Sequence, residues 1–154
     1  GGHLAGSYGV FWRKPFVRKA VGVDEAALRP AGMVLCYPVI TSGEKAHEDS
    51  FKALLGDRLE ELKEEVSLEK QVNKDVPKTF LWHTQEDGCV PVENSLLFYQ
   101  ALHKNGIPAE LHIFPEGGHG LSLANEETMN NDGSGVQEAC QSWISLVRKW
   151  METI

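Results

Sequence analysis

A chain of 154 residues, 42% hydrophobic and 24% charged, has the size and composition of one globular domain. A net charge of −7 disfavours nucleic acid and anionic membrane as partners. No apolar run reaches the roughly eighteen residues of a membrane span.

Residues 1 to about 13 read as a short helix with Leu4, Val10, Phe11 and Trp12 as its apolar members. "PAGMVLCYPVI" (30–40) is a short apolar run bounded by Pro and Gly, the pattern of a strand buried on both faces. Residues 41–77 are more polar and read as a helical insert. Ser50 is the candidate N-cap of its first helix and Gly56 the stop signal; Leu59, Leu62, Val66 and Leu68 then follow at helical spacing. "KTFLWHT" (78–84), introduced by Pro77, reads as a second buried strand. "VENSLLFYQALHKNG" (92–106) is an amphipathic helix stopped by Asn105-Gly106. "AELHIFPE" (109–116) alternates Leu111 and Ile113 with Glu110 and His112, which predicts a strand nearer a sheet edge. A polar loop leads to a closing helix over 136–154, with Ala139, Trp143, Leu146, Val147 and Trp150 on one face.

Strands alternating with helices define an α/β fold with three mostly parallel strands, in a single domain over 1–154. Ligands of such sheets bind outside the carboxyl ends of the strands. The chemistry therefore belongs to the loops "TSGEKAHEDS", "QEDGCVP" and "GGHG". The second offers Asp87 and the third His119, on successive strand-end loops where an acid and an imidazole can meet. A carboxylate bonded to one ring nitrogen fixes the tautomer and leaves the other nitrogen as a base. Singly, each is an ordinary turn or loop residue; the joint placement carries the signal.

Cys36, Cys89 and Cys140 are widely spaced and form no CxxC pair, which predicts neither a zinc site nor a disulfide framework. That usage fits a reducing compartment and sets the expectation of a cytoplasmic protein. His83, Cys89 and His119 have no metal-ligand spacing, so no metal site is expected.

The stretches "GGHLAGS", "YPVITSGEKAHEDSFKALLG", "VPKTFLWHTQEDGCVPVENSLLFYQALHKNGIPAELHIFPEGGHG" and the closing helix cover nearly the whole chain. Together they resemble the C-terminal part of an α/β-hydrolase, within the bacterial esterase group of acetyl-xylan and feruloyl esterase-like enzymes. The resemblance implies a Ser-Asp-His acyl-enzyme mechanism with Asp87 as acid and His119 as base, no cofactor, and a small-molecule or carbohydrate ester as substrate. It favours Asp87 over its neighbour Glu86, through D-x-x-V-P. His47, over the same sheet edge, and Val90 and Pro91 are candidate substrate-binding residues. "GGHLA" matches the end of a nucleophile elbow G-x-S-x-G-G-H-L-A, which would set the serine two residues ahead of Gly1. The expectation is a partial hydrolase domain, inactive alone, with an uncovered edge on its first strand.

Other residues have plainer readings. Ser7, in "AGSYG", lacks the preceding strand an elbow requires and reads as a small helix residue packed on the sheet. Ser42 and Ser50 have no glycine elbow, and Ser122 is too near His119. His83 reads as a hydrogen-bonded histidine near the site, His3 as structural, His112 as exposed and Asp132 as a turn residue. The rival functions are a prolyl-oligopeptidase-type serine peptidase and a non-catalytic hydrolase-like binding domain. A flavodoxin-like domain is disfavoured because no glycine-rich phosphate loop follows a strand.

Overall fold

The computed structural model describes residues 1–154. Three strands, β1 (Met33–Cys36), β2 (Thr79–Thr84) and β3 (Ala109–Phe114), form one parallel sheet in the order β1-β2-β3. Leu35 pairs with Leu81, which pairs with Leu111. β2 lies between the other two, and all six of its residues are buried. Its period of two sends Leu81 to one face and Phe80 and Trp82 to the other.

The Leu81 face carries α1 (Gly2–Phe11), α6 (Leu68–Gln71) and α7 (Glu93–Lys104). Val10, Met33, Leu35, Leu68, Phe98 and Leu102 close this half of the core. α1 lies close to the sheet because its glycines face it. A Cβ on Gly2 would stand 2.9 Å from the Cα of Pro38, and one on Gly9 2.5 Å from the Sδ of Met33. The opposite face carries α8 (Glu138–Gln141) and α9 (Trp143–Met151), whose Cys140, Val147 and Trp150 pack on Phe80 and Trp82.

Several elements differ from the sequence expectation. The first strand is short and alternating rather than buried on both faces: Met33 and Leu35 enter the core, while Val34 on the other face is 38% exposed. The closing helix is interrupted. Gln137 is extended and its N–H bonds the Ala124 carbonyl, so the helix starts at Glu138, and a turn at Ser142 divides it. Residues 15–28, for which the sequence pattern predicts no element, form α2 (Pro15–Val21) and α3 (Glu25–Leu28). Pro15 at the first helical position and Gly22 at φ 75° bound α2.

The insert between β1 and β2 holds α4 (Glu48–Leu55), a 3-10 turn at Gly56–Arg58, α5 (Leu59–Leu62) and α6. His47, not Ser50, occupies the cap position of α4, and the Ser50 hydroxyl instead bonds His47 Nδ1 at 2.8 Å. No helix is long and apolar enough to cross a membrane.

Candidate active site

The loop after β2 makes Asp87. Gln85 N–H bonds the Phe114 carbonyl at 2.8 Å, carrying the β2–β3 ladder one residue past the strands, and the chain then turns. Asp87 folds back on that turn: Oδ1 accepts the N–H groups of Cys89 at 2.9 Å and Val90 at 2.8 Å. Oδ2 faces His119 Nδ1 at 2.7 Å and His83 Nε2 at 3.2 Å. Burial alone would push the Asp87 carboxyl up. The donors from Val90, His119 and Cys89 outweigh it and hold the group below its ordinary range, so it is a carboxylate at neutral pH.

The loop after β3 makes His119. Gly117 has φ 126° and Gly120 φ 81°, backbone that only glycine adopts readily. A Cβ on Gly117 would meet Leu121 Cδ1 at 2.8 Å and Thr84 Cγ2 at 3.1 Å. Thr84, the last residue of β2, donates its hydroxyl to the Gly117 carbonyl at 2.7 Å and fixes this turn. The turn aims Nδ1 of His119 at Asp87. The Asp87 side chain is fully buried and that of His119 is 34% exposed, so the acid is shielded while the imidazole opens outward.

His83 is fully buried behind the pair. Its Nε2 lies 3.0 Å from the Val90 carbonyl, which can only accept, so Nε2 carries the proton and Nδ1 accepts from the Ser95 hydroxyl at 2.8 Å. Burial holds the imidazole below its ordinary pKa, against the Val90 carbonyl and Asp87, which pull the other way. It is a neutral donor that braces Asp87.

Sequence reasoning missed three residues. Tyr37, directly after β1, sets its ring 4.9 Å from that of His119 and 5.0 Å from that of Trp82. Thr84 holds the glycine turn. Asn94, fully buried on α7, joins the loops after β1 and β2. Its Oδ1 accepts from Ile40 N and Thr41 N, and its Nδ2 donates to the carbonyls of Lys45 and Pro91. An asparagine opening a helix pattern, ten residues past a strand, is the signal that would have found it.

The other candidates fall as follows. His47 reaches across the loops, with Nε2 3.6 Å from the Cys89 sulfur. Val90 is 1% exposed, and its backbone serves Asp87 and His83. Pro91 is half-buried, with its carbonyl bonded to Asn94. Glu86 is exposed. Ser7 lies inside α1, its hydroxyl 3.4 Å from Nδ1 of His3, whose Nε2 donates to the Val66 carbonyl at 2.8 Å. Ser42 donates to the Lys63 carbonyl. None of these hydroxyls bonds His119. His112 is partly buried rather than exposed, held by Glu110 at 2.6 Å and packed on Phe80. No three His, Cys, Asp or Glu side chains gather as a metal site.

The model of the prolyl oligopeptidase family matches residues 44–133, more than half of the chain and including both Asp87 and His119. The chain belongs to the prolyl oligopeptidase family. It is 42% identical over 136 residues to endo-1,4-beta-xylanase B of Butyrivibrio fibrisolvens, covering 88% of this chain and 21% of that protein. Among solved structures, an acetyl ester-xyloside bifunctional hydrolase from Caldicellulosiruptor lactoaceticus superposes with TM-score 0.79 at 42% identity, covering 99% of this chain and 53% of that one. A carboxylesterase from Lactobacillus plantarum superposes with TM-score 0.82 at 27% identity, covering 99% of this chain and 55% of that one. The fold is thus that of the α/β hydrolases. The chain spans about half the length of these solved relatives and about a fifth of the xylanase.

Proposed function

We propose that the complete protein carrying this chain is a carboxylic ester hydrolase acting on short acyl groups, acetyl esters of carbohydrates included. The observation that carries the reading is the 2.7 Å bond from His119 Nδ1 to a buried carboxylate, with the rest of the imidazole open. The 42% identity to an acetyl ester-xyloside hydrolase supports the substrate class.

In this reading a serine outside residues 1–154, two positions ahead of Gly1, attacks the ester carbonyl. Its Oγ bonds the acyl carbon while His119 Nε2 takes the hydroxyl proton. Collapse of the tetrahedral intermediate breaks the ester C–O bond, and the same proton passes to the leaving alcohol. Water then attacks the acyl-enzyme, His119 takes its proton, and the carboxylic acid leaves as that proton returns to the serine. Asp87 keeps Nδ1 protonated and steadies the imidazolium at each step. Residues 1–154 by themselves are expected to be inactive, because no serine hydroxyl in them bonds His119.

Amide cleavage is the second reading, favoured by the match to the prolyl oligopeptidase model. The test compares p-nitrophenyl acetate and acetylated xylo-oligosaccharides with dipeptide p-nitroanilides on the complete protein. Turnover of the esters with little of the amides is expected. A preference for the amides makes the protein a peptidase, and turnover of neither removes the catalytic reading.

A further inference from the structure

We propose that Tyr37 is a positioning residue for His119, a role that rests on His119 acting as the base. A ring held at one atom still swings about that bond. The Asp87 contact fixes only Nδ1 of His119, and the direction of Nε2 needs a second constraint. Tyr37 supplies it: its ring meets the imidazole at 4.9 Å with the planes 67° apart, an edge-to-face contact.

Three further observations mark Tyr37 as placed for this contact. Its backbone has φ 39°, a region that disfavours a bulky side chain and that glycine or asparagine would occupy with less strain. Its ring also stands edge-on to Trp82 at 5.0 Å, and Trp82 stacks on Trp143 at 5.2 Å. Finally, its hydroxyl accepts the Ser122 N–H at 3.2 Å, while Trp143 Nε1 donates to the Ser122 carbonyl at 2.9 Å. Both sides of the Ser122 backbone, three residues past His119, are therefore held by one aromatic group seated on β2. This clamp fixes the imidazole plane and the segment that follows it.

The experiment uses the complete protein. Tyr37→Asn removes the ring and suits the backbone; Tyr37→Leu gives the same comparison if the asparagine variant fails to fold. Tyr37→Phe keeps the ring and loses only the hydroxyl. Removing the ring is expected to lower kcat on p-nitrophenyl acetate about 10–100-fold with KM within about twofold, since small misplacements of a reacting group cost that much. Tyr37→Phe is expected to stay within about threefold. Proton NMR gives a readout without turnover: the low-field Nδ1–H signal of His119 stays sharp in wild type and Tyr37→Phe and broadens when the ring is lost. Wild-type kcat without the ring, a loss confined to KM, or equal damage in Tyr37→Phe overturns the proposal. If the wild type turns over no ester, the functional reading fails by itself. The NMR signal then still decides the clamp: a sharp signal without the ring contradicts it.

Discussion

Asp87 and His119 lie 32 residues apart and meet through a single 2.7 Å hydrogen bond between Oδ2 and Nδ1. Each is delivered by its own strand-end turn, and the two turns are tied by Thr84, which ends one strand and holds the glycine loop after the other.

Asp87→Asn keeps the size of the side chain but offers His119 the wrong hydrogen-bond partner. Ester turnover by the complete protein is expected to fall about 10³–10⁴-fold with KM little changed, following the corresponding substitution in chymotrypsin-like proteases. Steady-state kinetics on p-nitrophenyl acetate measures it.

Asn94 ties the loop after β1 to the loop after β2. Asn94→Ala leaves the buried N–H groups of Ile40 and Thr41 without an acceptor. The expected loss is about 2–4 kcal/mol, read from the urea midpoint.

Acid should lower the stability of the protein over two pH windows. Burial holds the imidazoles of His83 and His3 below their ordinary 6.5, opposed by the carbonyls of Val90 and Val66. The unfolded chain therefore binds more protons as pH falls below 6.5, and stability present above that value is lost on the way down to the folded pKa values. His83→Gln should reduce this slope by up to about 1.4 kcal/mol per pH unit. Asp87 acts lower: its carboxyl, depressed from 3.8, contributes fully above that value and loses its contribution as pH falls through the folded one. Urea titrations from pH 7.5 to 3 resolve the two windows.

The α1 glycines should differ in what they tolerate. A methyl at Gly2 meets the Pro38 backbone at 2.9 Å, which cannot swing aside; one at Gly9 meets the flexible end of Met33. Gly2→Ala should cost about 1–3 kcal/mol through overpacking. Gly9→Ala should cost less, because Ala gains about 1 kcal/mol of helix propensity over Gly. Thermal melts compare them.

The succession of strands and helices, the amphipathic α7 and the placement of Asp87 and His119 on successive strand-end loops were legible because they follow local periodicity and chain order. A buried run such as "FLWHT" marks a central strand, and the residues just past strand ends mark the site. Tyr37 and Thr84 were not legible, and Asn94 was marked only by its place at the opening of a helix pattern. Each acts through a partner distant in sequence, and the Tyr37 backbone leaves no trace in residue type, since an asparagine or glycine would be expected there. The break at Ser142 escaped for a similar reason. The apolar spacing of 139–150 suits one continuous helix, whereas Trp143 is drawn to the Ser122 carbonyl. The part Val90 plays was also hidden in the sequence, because it lies in the backbone: its N–H donates to Asp87 while the residue itself is buried.

The most direct test of the account is phosphonylation of the complete protein by a fluorophosphonate, followed by peptide mapping. The account predicts one adduct, on a serine two residues ahead of Gly1, formed in the wild type and strongly slowed in His119→Gln. An adduct on Ser7 or another serine of residues 1–154, or labelling indifferent to His119, would contradict it.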